Sequence, residues 1–201
     1  MFPVASIPPA GPRHSAGIGS ARVRTRRRSA VTGGAAVLLA TITGCASLSS
    51  GVGSEMSNDI NVNSTMMQEG RPLPDTFTCE EGVSPPLEWS GLPDEDEVSS
   101  LAVIMDDPSK ARVYWVIYGM DPQIPQIRQD SVPQPGRQGR NTAGEAAYDP
   151  PCPEEGEERE YRFTVYALGS ELNLPEGASL EDSLEGIAAR AVARGSLTTT
   201  G

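Results

Sequence analysis

Glycine and proline limit how long any regular element of this chain can run. Together they fill 39 of 201 positions, about a fifth against roughly an eighth in ordinary usage. Neither is at home inside a helix or a central strand. Between them lie short runs of β-forming type. Val98 to Met105 is apolar, and Val113 to Tyr118 is β-branched and aromatic. Tyr161 to Leu168 alternates, with Tyr161, Phe163, Val165 and Ala167 on one face. Such runs predict strands. The 37% hydrophobic and 5% aromatic content supports one modest core, hence one mainly β domain.

One helix is predicted near the end. Ser179 stands where a cap belongs and Asp182 follows three residues on, a capping-box spacing. Leu180, Leu184, Ile187, Ala188, Ala191 and Val192 then share a helical face, and Gly195 is the expected stop. Ser196 to Thr200 is expected to form a last strand. Pro-rich stretches at 84–86, 122–135 and 149–153 read as loops. Asp121 to Thr142 exceeds the usual connection length, which marks functional or disordered loops.

Charge is unevenly spread. The first 44 residues hold six Arg and no acid, leaving 10 basic against 27 acidic residues afterwards, a formal −17. So acidic a domain is no general nucleic-acid binder, because phosphate backbones need a basic face. The single histidine, His14, also lies in the first segment. Chemistry beyond it must proceed without imidazole, which removes His-based triads and His-ligated zinc.

That first segment reads as an export signal. A basic cluster at Arg24 to Arg28 precedes an apolar run of about 13 residues, Ala30 to Ile42, and then Thr43-Gly44-Cys45. The run is short of the roughly 20 residues that span a bilayer. The end resembles a bacterial lipobox, which implies cleavage after Gly44 and lipidation of Cys45 by a diacylglyceryl thioether and an N-acyl chain. The competing reading is an ordinary secretory signal with an incidental cysteine. The expectation is thus an export signal over 1–44, a flexible tether over 45–61 and a domain over 62–201. The protein would be lipid-anchored on the extracytoplasmic face of the cell membrane.

Few residues of the domain suggest chemistry. Cys79 and Cys152 are expected to pair in an oxidising compartment, the alternative being two separately buried thiols. Asp106-Asp107-Pro108 ends a strand. Adjacent carboxylates there can orient a ligand, although a solvated turn is the plainer reading. Arg137, Arg140, Arg159 and Arg162 carry guanidinium forks that suit carboxylate or phosphate, or simply balance local charge.

Several segments in order resemble one family. They are Ser84-Pro85-Pro86-Leu87-Glu88-Trp89-Ser90-Gly91-Leu92-Pro93, Asp107-Pro108 ahead of Tyr114-Trp115-Val116, Gly139-Arg140-Asn141, and Pro151-Cys152-Pro153 ahead of Tyr161-Arg162-Phe163-Thr164-Val165-Tyr166-Ala167-Leu168. From about Phe77 to Leu197 the chain resembles the phosphatidylethanolamine-binding proteins, in the bacterial Raf kinase inhibitor-like branch. The resemblance implies two antiparallel sheets with short peripheral helices and a C-terminal helix. It also implies a small pocket for anionic, headgroup-like groups.

Carried over, the pocket uses Asp107 of the Asp-Pro turn, Pro151 and Pro153 of the proline loop, and Tyr161 at a strand start. The departures fall on the pocket itself. Asp-Pro-Asp-x-Pro becomes Asp107-Pro108-Ser109-Lys110-Ala111, the histidine before Trp becomes Tyr114, and His-Arg before Tyr becomes Arg159-Glu160. The expected ligand set is therefore Asp107, Tyr114, Pro151, Pro153, Arg159 and Tyr161, with guanidinium and phenol in place of imidazoles. The ligand would be a small anion or lipid headgroup. No catalytic residue, metal or cofactor is expected. The alternative is a protein-interaction module, such as an inhibitor of a cell-surface hydrolase or kinase. It would contact its partner through the Asp121–Thr142 loop and carry a degenerate pocket.

Overall fold

Two strands buried on both faces stand at the centre of the structure, as the unbroken apolar runs within 100–105 and 113–118 require. The computed structural model describes residues 56–154 and 156–201. The export segment, Cys45 and most of the tether lie outside them. The strands are β1 (Asn61–Asn63), β2 (Leu87–Ser90), β3 (Ser100–Asp107), β4 (Arg112–Met120), β5 (Gln126–Ile127), β6 (Arg137–Gln138), β7 (Glu160–Leu168) and β8 (Ala191–Thr200). One helix, α1 (Leu180–Ala188), precedes β8, and a 3-10 turn covers Asp75–Phe77.

Two antiparallel sheets result, one in the order β1-β2-β5 and one in the order β6-β4-β3-β7-β8. The mainly β expectation holds. The inward face of the larger sheet presents Leu101, Val103, Met105, Ile117, Tyr161, Phe163 and Val165 to Val62, Leu87, Trp89 and Ile127 of the smaller one. Its other face carries Ala102, Ile104, Val116 and Tyr118 under Leu172 and Ile187, so α1 closes that side. Each fully buried large side chain contributes about 1.5–3 kcal/mol of transfer free energy. Among the described residues no helix is long and apolar enough to cross a membrane.

Ser179 caps α1 as expected, its hydroxyl accepting from the Asp182 N–H at 3.1 Å. The end of the helix differs from expectation. α1 stops at Ala188, and Ala191 and Val192 begin β8 instead. The cause is the long ladder from Leu168–Ala191 to Glu160–Thr200, which gives that segment's backbone partners the helix would not. Gly195 is therefore no helix stop. A side chain there would overlap the Ile60 carbonyl, because residues 57–60 run directly against β8.

That crossing also moves the domain boundary. The Ser57 N–H donates to the Val192 carbonyl at 3.0 Å and the Arg194 N–H to Ser57 at 2.9 Å, while Ile60 is buried. Residues 57–61 thus belong to the packed domain rather than to a flexible tether. The long 121–142 segment is likewise not a free loop. Gln126–Ile127 pairs with β2 and Arg137–Gln138 with β4, and the Asp130, Gly139 and Thr142 N–H groups donate to Ser84, Val116 and Val113. Two-residue strands leave no periodicity to read.

Cys79 and Cys152 form a disulfide, with Cα atoms 5.3 Å apart and 73 positions between them in sequence. Both are exposed. The bond fastens the proline loop to the chain after the 3-10 turn, beside a hydrogen bond from the Cys79 N–H to the Pro151 carbonyl at 3.0 Å.

Candidate functional site

Side chains alternate along a strand, and this separates the two adjacent aspartates at the end of β3. Asp106 takes both ends of the Arg162 fork, at 3.0 and 2.6 Å. Asp107 faces the other way and is wholly shielded from solvent. Its Oδ1 accepts the N–H groups of Ser109 and Lys110 at 2.9 and 3.2 Å and the Ser109 hydroxyl at 2.6 Å. Aspartate before proline folds the following turn onto its own carboxylate in this way.

The second side comes from the approach to β7. Arg159 and Tyr161 share one face, and Arg162 falls on the other. Arg159 Nη1 donates to Asp107 Oδ2 at 3.0 Å. Its Nε lies 3.0 Å from Glu157 Oε2. That contact is an ion pair without hydrogen-bond alignment, so among the described residues the buried Nε–H has no aligned acceptor. The other oxygen of Glu157, Oε1, accepts from Lys110 Nζ at 3.0 Å.

Aromatic rings form the floor. Tyr114 and Tyr161 meet edge to face, with centroids 5.7 Å apart, and both are buried. The Arg112 guanidinium sits 5.1 Å from the Tyr114 centroid and donates to Asp149 at 2.8 Å. The Asp149 N–H donates to the Tyr114 carbonyl at 2.9 Å, which brings the proline loop alongside. Pro151 is buried in that loop. Pro153 is half-buried and joins none of these hydrogen bonds.

The structure thus brings Asp107, Tyr114, Arg159 and Tyr161 together, with Pro151 at the edge. Arg137, Arg140 and Arg162 go elsewhere: Arg137 donates to the Leu174 carbonyl, Arg140 to Gly177 and Gly144, and Arg162 to Asp106. The pattern of residue types overlooks Lys110, Arg112, Asp149 and Glu157. Period two offers a signal for two of them, since Arg112 stands two before Tyr114 and Glu157 two before Arg159.

Electrostatics fix the charge states. Burial pushes the Asp107 carboxyl up, but bonds from Ser109, Arg159 and the turn outweigh it and hold the group below the usual carboxylate range. Burial pulls the Arg159 guanidinium down, and Glu157 and Asp107 more than reverse this. Lys110 and Arg159 hold Glu157 low. Burial raises both phenols, Tyr161 to about 12 with Tyr114 adding to it, so both stay protonated donors. Lys110, Arg112 and Arg159 face Asp107, Asp149 and Glu157, so cations and carboxylates of this cluster cancel.

Comparisons with known proteins follow the same outline. A family model described as phosphatidylethanolamine-binding protein matches residues 63–200. A UPF0098 protein of Methanothermobacter thermautotrophicus is 40% identical over 136 residues, which is 63% of this chain and 87% of that one. A Mycobacterium tuberculosis relative whose name, LppC, designates it a lipoprotein is 33% identical over 146 residues, 70% of this chain and 71% of its own. Among solved structures, a phosphatidylethanolamine-binding protein homologue of Chlamydia trachomatis is 33% identical with a TM-score of 0.64, covering 72% of this chain and 98% of that one. Escherichia coli YbcL is 25% identical with a TM-score of 0.65, covering 71% and 97%.

Proposed function

The chain belongs to the phosphatidylethanolamine-binding protein family, and from that premise we propose that it is a lipid-anchored, extracytoplasmic binding module. Its Arg159 site takes a small anionic group of the phosphate or headgroup kind. One observation carries the reading. The buried Nε–H of Arg159 has no aligned hydrogen-bond acceptor among the described residues, its nearest anion being the partly exposed Glu157 at 3.0 Å, while Nη1 is held by Asp107. A guanidinium fixed at one end by a buried carboxylate presents its other edge in a defined direction, which suits an oxyanion. The buried rings of Tyr114 and Tyr161 pack edge to face beside it. Binding here involves no bond-making step.

The anchor rests on Thr43-Gly44-Cys45 after the apolar run and on similarity to the lipoprotein-named LppC. Cells fed labelled palmitate should label the wild-type chain and not Cys45→Ala. Equal labelling refutes the anchor.

Ligand binding is tested by calorimetric titration of the full chain with inorganic phosphate and with phosphoethanolamine. Saturable binding in the millimolar range is expected. Arg159→Lys keeps the charge but loses the fork, and should weaken binding about tenfold. No binding at tens of millimolar of either compound refutes the site.

A further inference from the structure

Glu157 stands where the ligand of that site would stand. Its two oxygens bridge Lys110 Nζ and Arg159 Nε, each at 3.0 Å. Of the carboxylates facing Arg159, Asp107 is fully shielded and holds four donors, whereas the Glu157 side chain is 27% exposed and, among the described residues, is partnered by these two cations alone. It therefore has the least to lose by leaving. We propose that Glu157 is a built-in competitor, a tethered carboxylate occupying a two-cation site on Lys110 and Arg159, and that the natural occupant is a dianionic phosphomonoester which displaces it. This inference rests on the binding reading above and adds Lys110 as a ligand contact and Glu157 as the gate.

Competition with Glu157 favours a dianion. Glu157 is two residues from Arg159, so its effective concentration at the site is millimolar or higher. A free monoanion brings the same charge as Glu157 without the tether and loses. A phosphomonoester brings up to two charges and three terminal oxygens. That is enough to meet Lys110 and Arg159 together with an oxygen left for a phenol. The docked Glu157 also lowers apparent affinity, because only the undocked fraction binds. Two partly exposed ion pairs amount to a docking preference of about tenfold.

The test titrates the full chain and its Glu157→Gln and Glu157→Ala variants with inorganic phosphate and with acetate. Both variants should bind phosphate about tenfold more tightly than wild type, and acetate should become measurable only in the variants. Adding Lys110→Ala to Glu157→Ala should weaken phosphate again. For the Cys45→Ala chain, which lacks the proposed acyl anchor, vesicles of phosphatidylcholine with and without phosphatidic acid separate a lipid source from a free one, since a lipid-borne monoester gives phosphatidic acid-dependent co-sedimentation that inorganic phosphate competes away. If wild type binds phosphate and both Glu157 variants bind it equally well, the competitor is refuted and the binding reading survives. If no variant binds phosphate, both fall. Thermal unfolding of each variant in parallel shows that a lost titration is not a lost fold.

Discussion

Removing the Arg159 guanidinium while keeping its bulk, as in Arg159→Leu, tests whether Asp107 is an anion that depends on it. The general cost of stripping the partner from a buried pair is about 3–5 kcal/mol. Two features of this site reduce it. Arg159 is itself 16% exposed, and Asp107 keeps three other donors, the Ser109 and Lys110 N–H groups and the Ser109 hydroxyl. Those remaining bonds to a charged acceptor still stabilise it substantially, so the expected cost is about 2–3 kcal/mol. Asp107→Asn should cost a similar amount, and the double variant should fall short of the sum by about 1–2 kcal/mol, because both changes remove one interaction.

The same pair predicts an acid limb. The folded Asp107 carboxyl lies below its unfolded value of 3.8, so its stabilisation is complete above that value and is lost as pH falls through the folded one. Wild type should lose its advantage over Asp107→Asn below about pH 4. Urea unfolding at pH 7 and pH 3 measures both effects. Single-variant costs below about 0.5 kcal/mol with no coupling would show an incidental surface contact, and the site would lose its fixed guanidinium.

Three further outcomes follow from the same contacts. Cys79→Ser with Cys152→Ser should lower unfolding stability by about 2–4 kcal/mol, given the long loop the bond closes; an unchanged urea midpoint with and without reductant would show that the bond restrains nothing. Gly195→Ala forces a methyl onto the Ile60 carbonyl and should cost about 3 kcal/mol or more, with backbone that cannot yield; a melting temperature equal to wild type would place residues 57–60 elsewhere. Sulfate, dianionic at all working pH values, should bind with flat affinity from pH 5 to 8, because Asp107 and Glu157 are held low while the phenols and Arg159 are held high; a tenfold gain on acidification would reveal an imidazole-like group.

What the sequence discloses depends on the range of the forces involved. β3, β4 and β7 are legible because a continuous or alternating apolar run has one stable disposition between two layers. The Ser179 cap is legible because its partner lies three residues away. Of β8, the stretch Ser196 to Thr200 is legible as a strand but its start is not, since Ala191 and Val192 satisfy a helical stripe and a strand equally. The choice falls to the β7 ladder, whose partners sit 23 to 40 residues upstream. β5 and β6 are too short to carry a period. Asp107 and Arg159 are legible as a strand-end carboxylate and a guanidinium, but their assembly with Tyr114 and Tyr161 is legible only through resemblance; of the closure by Glu157 only the two-residue spacing before Arg159 shows, because an ion pair leaves no pattern in composition.

Yet the closure follows from the substitution that the sequence does show. A histidine in a buried place can shed its proton and stand neutral. A guanidinium cannot. Setting Arg159 against Tyr114 and Tyr161 therefore favours negative charge on both edges of the fork, which lowers the cost of holding a permanent cation there. Asp107 supplies one edge at 3.0 Å and Glu157 the other at 3.0 Å. Exchange of a titratable donor for a permanent one and recruitment of Glu157 are then one change, not two. Reverting Arg159 to histidine should leave Glu157 without a reason to dock, so that the Arg159→His chain binds phosphate with affinity that rises on acidification and is insensitive to Glu157→Gln. If Glu157→Gln still tightens phosphate binding tenfold in that background, the carboxylate is held by Lys110 alone and Arg159 and Glu157 are not coupled.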